Sequence, residues 1–299
     1  MSKIYVPLPS KDNVSLYLQQ CFDGFFVGIK DYSDNFNRLI EIDELDEIID
    51  ICKGKNKDIY ISLNRLYYNE EIDSLKEIIT KIIKYDITGI CYTDIGVLNI
   101  LNELGYKGKI LWFSNHLGTN SKTINFLEKR NVTDALLSTE IMIDEIIKIK
   151  SNININIGVL LYGYLNMATS SRKLLTNYFE YINKDKNKNK YIIKDKVKKE
   201  DYILVENNNT NFFTGKVLNG IKYFPKLIDN GIDFIFLDDY MLNENNFYNV
   251  IEAFSSLRNA KDDINFVNNL EMVVESNTFC DTFDGFLDKK TVYKVEDYE

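Results

Sequence analysis

GVLLYGYLNMATSSRKLLTNYFEY, residues 158–181, decides the architecture. It opens as a continuous apolar run, the pattern of a strand buried on both faces. It breaks at Gly163 and enters a polar stretch, Asn166 to Ser171, which reads as a loop. Arg172 and the block Asn177-Tyr178-Phe179 follow. A strand that ends in a small, polar, arginine-bearing loop places side chains at the mouth of a site. The same residues also suit a core strand, an ordinary turn and a capped helix, so function must be read from their surroundings.

Working outward, the chain alternates short β-type runs with helix-period segments. The strands are expected at Ile4–Leu8, Gly24–Ile29, Asp58–Asn64, Gly89–Thr93, Lys109–Ser114, Asp134–Ser138, Asn154–Tyr162 and Asp233–Leu237. Between them, Ile42, Leu45, Ile48 and Ile49 make one apolar face, and Ile72, Leu75, Ile78, Ile79, Ile82 and Ile83 another. Ser10 or Asp12 can cap the first helix, and Thr139 one beginning near Glu140. Asn230-Gly231 suits a helix end. About eight β-then-α units predict an α/β fold, a (β/α)8 TIM-type barrel. A doubly wound sheet, the competing architecture, uses fewer strands at this length.

One segment breaks the rhythm. Residues 183–213 are polar and lysine-rich, with two short β-type runs at Tyr191–Ile193 and Tyr202–Val205. They read as an inserted hairpin or small lobe after the seventh strand. The lysines from Lys184 to Lys199 form the one concentrated basic region. They suit phosphate contacts, and equally a solvated hairpin. A last helix is expected near Asn245–Arg258, then a tail over residues 271–299 anchored by Phe279, Phe283, Phe286 and Tyr293. The expectation is one barrel domain, residues 1–299, with one insertion.

The 299 residues are 45% hydrophobic and 27% charged, the balance of a soluble globular protein. A net charge of −9 argues against wholesale coating of nucleic acid, though a local basic patch stays open. No apolar run approaches the ~18 residues of a membrane span, and MSKIYVPLPS lacks the apolar core of an export signal. The four cysteines, Cys21, Cys52, Cys91 and Cys280, are scattered without a CxxC pair, so neither a disulfide framework nor a zinc site is expected. A cytoplasmic protein with free thiols, no membrane association and no resident metal or cofactor is the expectation.

In parallel barrels the sites lie at the C-terminal ends of the strands. There the sequence puts Asn64, Asp94, Ser114, Asn115, Glu140, Tyr162 and Asp238. Asp94 and Ser114 suit helix capping. Glu140 and Asp238 suit capping or proton transfer equally. His116 is the single histidine, which excludes a two-histidine metal site, and no cysteine stands at a strand end as a nucleophile. Dinucleotide and P-loop motifs are absent.

Several blocks together carry a family resemblance: FFVGIKDYS at 25–33, DIYISLNRL at 58–66, TDIGVL at 93–98, Thr119-Asn120 with NFLEKRNV at 125–132, TEIMIDEI at 139–146, YGYLNMATSSRKLLTNYF at 162–179 and KLIDNGIDFIFLDD at 226–239. In their order and spacing the chain resembles the peptidase U-32 family, the collagenase-like proteases, from about Phe25 to Asp239. Its length and the ending DTFDGFLDKKTVYK look most like the shorter of the paired bacterial members linked to hydroxylation of a tRNA wobble uridine. The resemblance implies a barrel. It also implies either peptidase activity or a part in RNA or quinone hydroxylation with an iron–sulfur cluster on four cysteines.

The departures matter. The family loop reads like HGxLCxxxSGRC. Here Tyr162 stands at the histidine, Asn166 and Lys173 at the two cysteines, and Asn219 at a further cysteine position. Amide and ammonium groups cannot replace thiolates on iron, so no cluster is expected. On the hydroxylation reading, Arg172 holds a phosphate or carboxylate, and Glu140 and Asp238 serve as acid–base or orienting groups. Asn64, Asn120, Tyr162, Asn177 and Tyr178 bind substrate, and the lysine hairpin tracks a tRNA backbone. Two readings stay beside it: a peptidase, and a non-catalytic partner in a hetero-oligomer with a longer, cluster-bearing paralogue.

Overall fold

The computed structural model describes residues 2–196, 200–260 and 263–289. Thirteen strands run in chain order: β1 Lys3–Pro7, β2 Gly24–Ile29, β3 Leu39–Ile40, β4 Asp58–Leu63, β5 Gly89–Tyr92, β6 Lys109–Phe113, β7 Asp134–Leu136, β8 Asn156–Ser170, β9 Lys190–Asp195, β10 Glu200–Glu206, β11 Thr210–Asn219, β12 Phe234–Leu237 and β13 Thr282–Phe283. Eight of them, β1, β2, β4 to β8 and β12, pair in parallel around a ring. The ring closes because β12 pairs with both β1 and β8. This is the expected TIM-type (β/α)8 barrel. The helices are α1 Val14–Tyr17, α2 Leu45–Lys53, α3 Ile72–Ile82, α4 Ile95–Glu103, α5 Ser121–Glu128, α6 Ile143–Lys150, α7 Leu174–Tyr181, α8 Phe224–Asp229, α9 Glu244–Ala260 and α10 Ile264–Thr278. The apolar faces read from the period are the buried ones: Leu45, Ile48 and Ile49 on α2, and Leu75, Ile78, Ile79 and Ile82 on α3.

Aromatic rings fill much of the cylinder. Tyr5 meets Phe26, Tyr60 and Phe234 at centroid separations of 5.6, 5.4 and 5.5 Å, and Phe236 meets Phe26 at 4.9 Å and Phe113 at 5.9 Å. Rings this large fit only where other strands give up volume. At Gly158 a Cβ would lie 2.0 Å from the Phe234 ring, and at Gly89 2.8 Å from Tyr60. The glycine in the opening stretch is therefore the space that Phe234 occupies.

The polar stretch after Gly163 is strand, not loop. β8 runs on to Ser170, pairing antiparallel with β11. Within residues 166–170, Asn166 and Thr169 bond side chain to side chain and both reach Asn211 across the strand pair. Asn166 Nδ2 donates to Thr169 Oγ1 and to Asn211 Oδ1, both at 3.2 Å, and Thr169 Oγ1 donates to Asn211 Oδ1 at 2.7 Å. The expected insertion supplies β9, β10 and the start of β11. The sheet they build is rooted in β8 itself, with the order β8-β11-β10-β9. Lys198 and Lys199 lie outside the described residues.

Other boundaries shift too. Thr139 caps nothing. α6 starts at Ile143, whose N–H donates to the Leu287 carbonyl at 3.0 Å. Two helices follow β12 where one was expected. α10 takes residues 271–278 of the anticipated tail, starting from Asp263, whose carboxylate accepts from the backbone N–H of Asn265 and Phe266. Its many polar residues hide a narrow buried stripe, Val267 and Val274. Phe279 is 76% exposed and anchors nothing, whereas Phe283 and Phe286 pack on the core. Tyr293 lies outside the described residues.

α7 lacks a side-chain cap of its own, and Glu206 supplies one from β10. Its buried carboxylate accepts from the Leu175 N–H at 2.7 Å, from the Thr176 N–H at 3.2 Å, from Thr176 Oγ1 at 2.5 Å and from Lys186 Nζ at 2.6 Å. Burial raises its pKa, but the bonds from Lys186 and Thr176 outweigh that and hold it at about 2. An acid depressed in the fold stabilises it above the ordinary carboxylate range and loses that contribution as pH falls.

Two expectations follow from this packing. Gly158→Ala lowers the urea midpoint by about 1–3 kcal/mol of stability, and Phe234→Leu in the same chain recovers part of it. Acidification from about pH 4.5 to pH 2 lowers the protection factors of the Leu175 and Thr176 amides, taken against their intrinsic exchange rates at each pH. In Glu206→Gln the same amides exchange fast already at pH 7, with a loss of about 1–3 kcal/mol in local stability.

Candidate functional site at the barrel mouth

The C-terminal ends of the strands enclose a cavity of about 30 Å³, room for one or two water molecules. Its polar lining is Asn35, Asn64, Asn115, Tyr164, Asn166 and Asp238, above a floor that includes Phe113, Leu160 and Phe236. Oδ1 of Asn35 and Oδ1 of Asn166 are buried without a protein hydrogen-bond partner.

The lobe closes this mouth. Asn64 clamps the backbone of Asp34, accepting from its N–H and donating to its carbonyl, both at 3.0 Å. Asp34 in turn accepts at Oδ2 from Asn209 Nδ2, in the β10–β11 turn, at 2.7 Å. Burial raises the Asp34 pKa, against the bond from Asn209. Phe213 of the lobe packs on Tyr240 after β12, with ring centroids 5.6 Å apart. Asn37 ties the loop after β2 to the loop after β12, donating to the Asp239 carbonyl at 2.7 Å and accepting from the Met241 N–H at 3.0 Å.

Asp238 is the one carboxylate on the cavity wall. Burial pushes its pKa up to about 7, against a 3.0 Å bond from the Tyr240 N–H. The neighbouring Asp239 is buried, and burial together with the charge of Asp238 lifts it well above the carboxylate range. Asp238 can therefore exchange a proton near neutral pH, and ionisation of one of the two neighbours disfavours ionisation of the other.

Of the strand-end residues singled out in the sequence, Asn64, Asn115 and Asp238 meet at this cavity. The others stand elsewhere. Tyr162 turns outward, its hydroxyl 3.1 Å from Thr278 Oγ1 and its ring stacked on Phe247 at 5.7 Å. Glu140 approaches His116, Oε1 to Nδ1, at 3.7 Å. Asn120 caps α5, accepting from the Thr123 N–H at 2.9 Å. Arg172, Asn177 and Tyr178 are exposed on the lobe. Asp94 caps α4 by accepting from the Gly96 N–H at 2.8 Å, and Ser114 accepts from the Leu117 N–H at 3.2 Å. The sequence reading missed Asn35, Tyr164 and the Asp34–Asn209 latch. Only the left-handed backbone of Asn35, with φ at 64°, sets it apart, and that is not visible in sequence.

The family model for peptidase family U32 matches residues 10–293. The chain belongs to this family. It is 24% identical to the tRNA hydroxylation protein P2 of Bacillus subtilis, over 97% of this chain and 98% of that protein. It is 21% identical to the tRNA hydroxylation protein P1 of the same organism, over 91% of this chain and 67% of that longer protein. A solved U32 peptidase superposes with a TM-score of 0.52 at 12% identity, covering 80% of this chain and 92% of that one, a likeness of fold.

Of the residues that the resemblance set against family cysteines, Asn166 lines the cavity and Asn219 is buried on β11. Lys173 is exposed, its ammonium donating to the Asn207 carbonyl. The cysteines sit apart along the fold: Cys21 after α1, Cys52 on α2, Cys91 in β5 and Cys280 after α10. Burial raises the Cys52 thiol to about 12 and Cys91 further still, which disfavours thiolate at both. Among the described residues no three His, Cys, Asp or Glu side chains group as metal ligands, and no helix is long and apolar enough to cross a membrane.

The Asp238 shift has a testable sign. Its folded pKa near 7 lies above the ordinary 3.8, so its favourable contribution is complete below 3.8 and is lost as pH rises through 7. Asp238→Asn and the parent are expected to melt together near pH 4. The variant then gains progressively up to pH 8, by roughly 2–4 °C for each kcal/mol. Thermal melts across that range check it.

Proposed function

We propose that this chain acts in tRNA hydroxylation, at a wobble uridine, as the shorter subunit beside a longer paralogue, and that it carries no iron–sulfur cluster of its own. The observation that carries the reading is colinearity with protein P2 from end to end. The match to the longer P1 leaves about a third of that protein uncovered.

The site supports a subunit without a redox centre. Thiolates bind iron, and the positions in question carry two amides and an ammonium. The cavity under the lobe suits water rather than a substrate. Asp238 is the group in it able to exchange a proton near neutral pH. Arg172, exposed on the lobe, would contact phosphate from the outside.

Deletion of the gene is expected to remove hydroxylated uridine from bulk tRNA, measured by mass spectrometry of nucleosides. The wild-type gene restores it, and unchanged nucleosides in the deletion strain would overturn the reading. The chain purified anaerobically is expected to hold far less iron than one atom per protein. It is expected to co-purify with the longer paralogue, and iron at about four atoms per chain would refute the cluster-free assignment.

A further inference from the structure

The lobe carries a second concavity, away from the Asp238 cavity. It is an open groove of about 1070 Å³ between the end of α7 and β9. Phe179, Tyr191 and Ile192 give it an apolar wall, and Lys184, Lys188 and Lys190 a basic one, against one carboxylate, Asp185. Phe179 and Tyr191 lie 5.0 Å apart, tilted by 43°.

Charge concentrates here. Between residues 183 and 196 there are six lysines and two aspartates, on a chain of net charge −9. Lys186 turns inward and is consumed by Glu206, whereas its neighbours Lys184 and Lys188 turn to the groove. The apolar surface is equally uneven. Tyr178 is 56% exposed, Tyr181 84% and Ile192 58%, all within this part of the lobe. Edge protection explains lysines on β9, the last strand of the sheet, because charge there blocks strand addition. It does not explain Lys184 and Lys188, which precede the strand, or exposed rings beside them.

We infer that this groove binds single-stranded RNA, with bases stacking on Tyr191 and Phe179 and phosphates lying along Lys184 and Lys188, while the Lys190 ammonium lies over the Tyr164 ring, 5.9 Å from its centroid. Every base has a π face, so a ring wall with a basic border holds a strand without reading its sequence. A duplex buries its base faces and offers phosphate alone, so the groove favours unpaired RNA such as a hairpin loop. A flat anionic membrane would meet the convex outer rings before those within the groove. The inference rests in part on the proposed role in tRNA hydroxylation, and it gives that role a docking surface.

The test is fluorescence anisotropy of the full chain with a labelled single-stranded RNA of about 12 nucleotides, in about 50 mM salt. Matched duplex RNA and vesicles containing phosphatidylserine serve as comparisons. Single-stranded RNA is expected to bind more tightly than duplex. Tyr191→Ala weakens it by about 5- to 100-fold, and Tyr191→Phe restores it. Lys184→Gln with Lys188→Gln lowers the slope of log affinity against log salt by about 1.4, or about 0.7 for each phosphate no longer neutralised. Circular dichroism verifies that each variant keeps the parent's melting curve.

No RNA binding at about 10 µM protein overturns the inference, as does binding to vesicles alone or RNA affinity indifferent to both sets of variants. The nucleoside assay on the deletion strain is independent of these results. Lost hydroxyuridine with no groove binding sinks the groove and leaves the proposed function. Groove binding with unchanged nucleosides does the reverse.

Discussion

One strand has to serve two sheets, and the rest of the molecule follows from how β8 does it. Its first half lies between β7 and β12 and is parallel to both, inside the barrel. Its second half leaves the ring and pairs antiparallel with β11. The change happens at Gly163, whose φ of 130° excludes an ordinary side chain and whose Cβ would lie 2.8 Å from the Asp238 carbonyl. The register against β12 slips here as well, so that Phe236 faces Leu160 but Leu237 faces Tyr162. A slip of one residue reverses which side chains point in. The slip before Tyr162 turns it away from the face of Leu160 toward Thr278, and the second break, at Gly163, returns Tyr164 and Asn166 to the cavity.

Because the lobe grows out of a barrel strand, it is set over the mouth rather than hung beside it. The contact it makes there is polar and buried, which is costly unless every group is paired. Asn166, Thr169 and Asn211 bond to one another, leaving Asn166 Oδ1 toward the cavity without a protein partner, and Asn209 reaches Asp34, 175 residues away in the chain. Glu206 does the same inside the lobe, where an acid, a lysine and a helix start share one buried point. The lobe is thus held by hydrogen bonds whose directions fix its pose, with few large apolar groups at its tip.

This division explains what the sequence made legible. The barrel came from period, since apolar runs and faces such as Ile48-Ile49 and Ile78-Ile79 register burial directly. Asn64 and Asp238 were legible as strand ends. Residues 166–170 were not legible as strand, because a strand end with Ala168 and Thr169 exposed to water has the polarity of a loop, and only pairing with β11 sets it apart. The direction of Tyr162 was hidden because it depends on a bulge, which sequence does not announce. Arg172 looked near the mouth on the assumption that the strand stopped. With β8 extended to Ser170, the strand runs four residues beyond Asn166 on the cavity wall, roughly 13 Å, before Arg172 is reached.

The cavity also has a thermodynamic consequence. At about 30 Å³ it admits water, and anything larger reaches Asp238 only if the tip of the lobe leaves Asp34. Leaving exposes both carboxyls to solvent, and hydration then draws the Asp238 pKa down from about 7 toward its ordinary 3.8. A group with a lower pKa in one state releases protons on entering that state, so opening and deprotonation are linked. Between pH 4 and 7 each favours the other. The carboxylate that makes the closed mouth costly at neutral pH is the group that opening relieves; the Asn64 and Asn209 amides do not titrate, but Asp34, the latch's acceptor, is a second acid whose pKa burial raises.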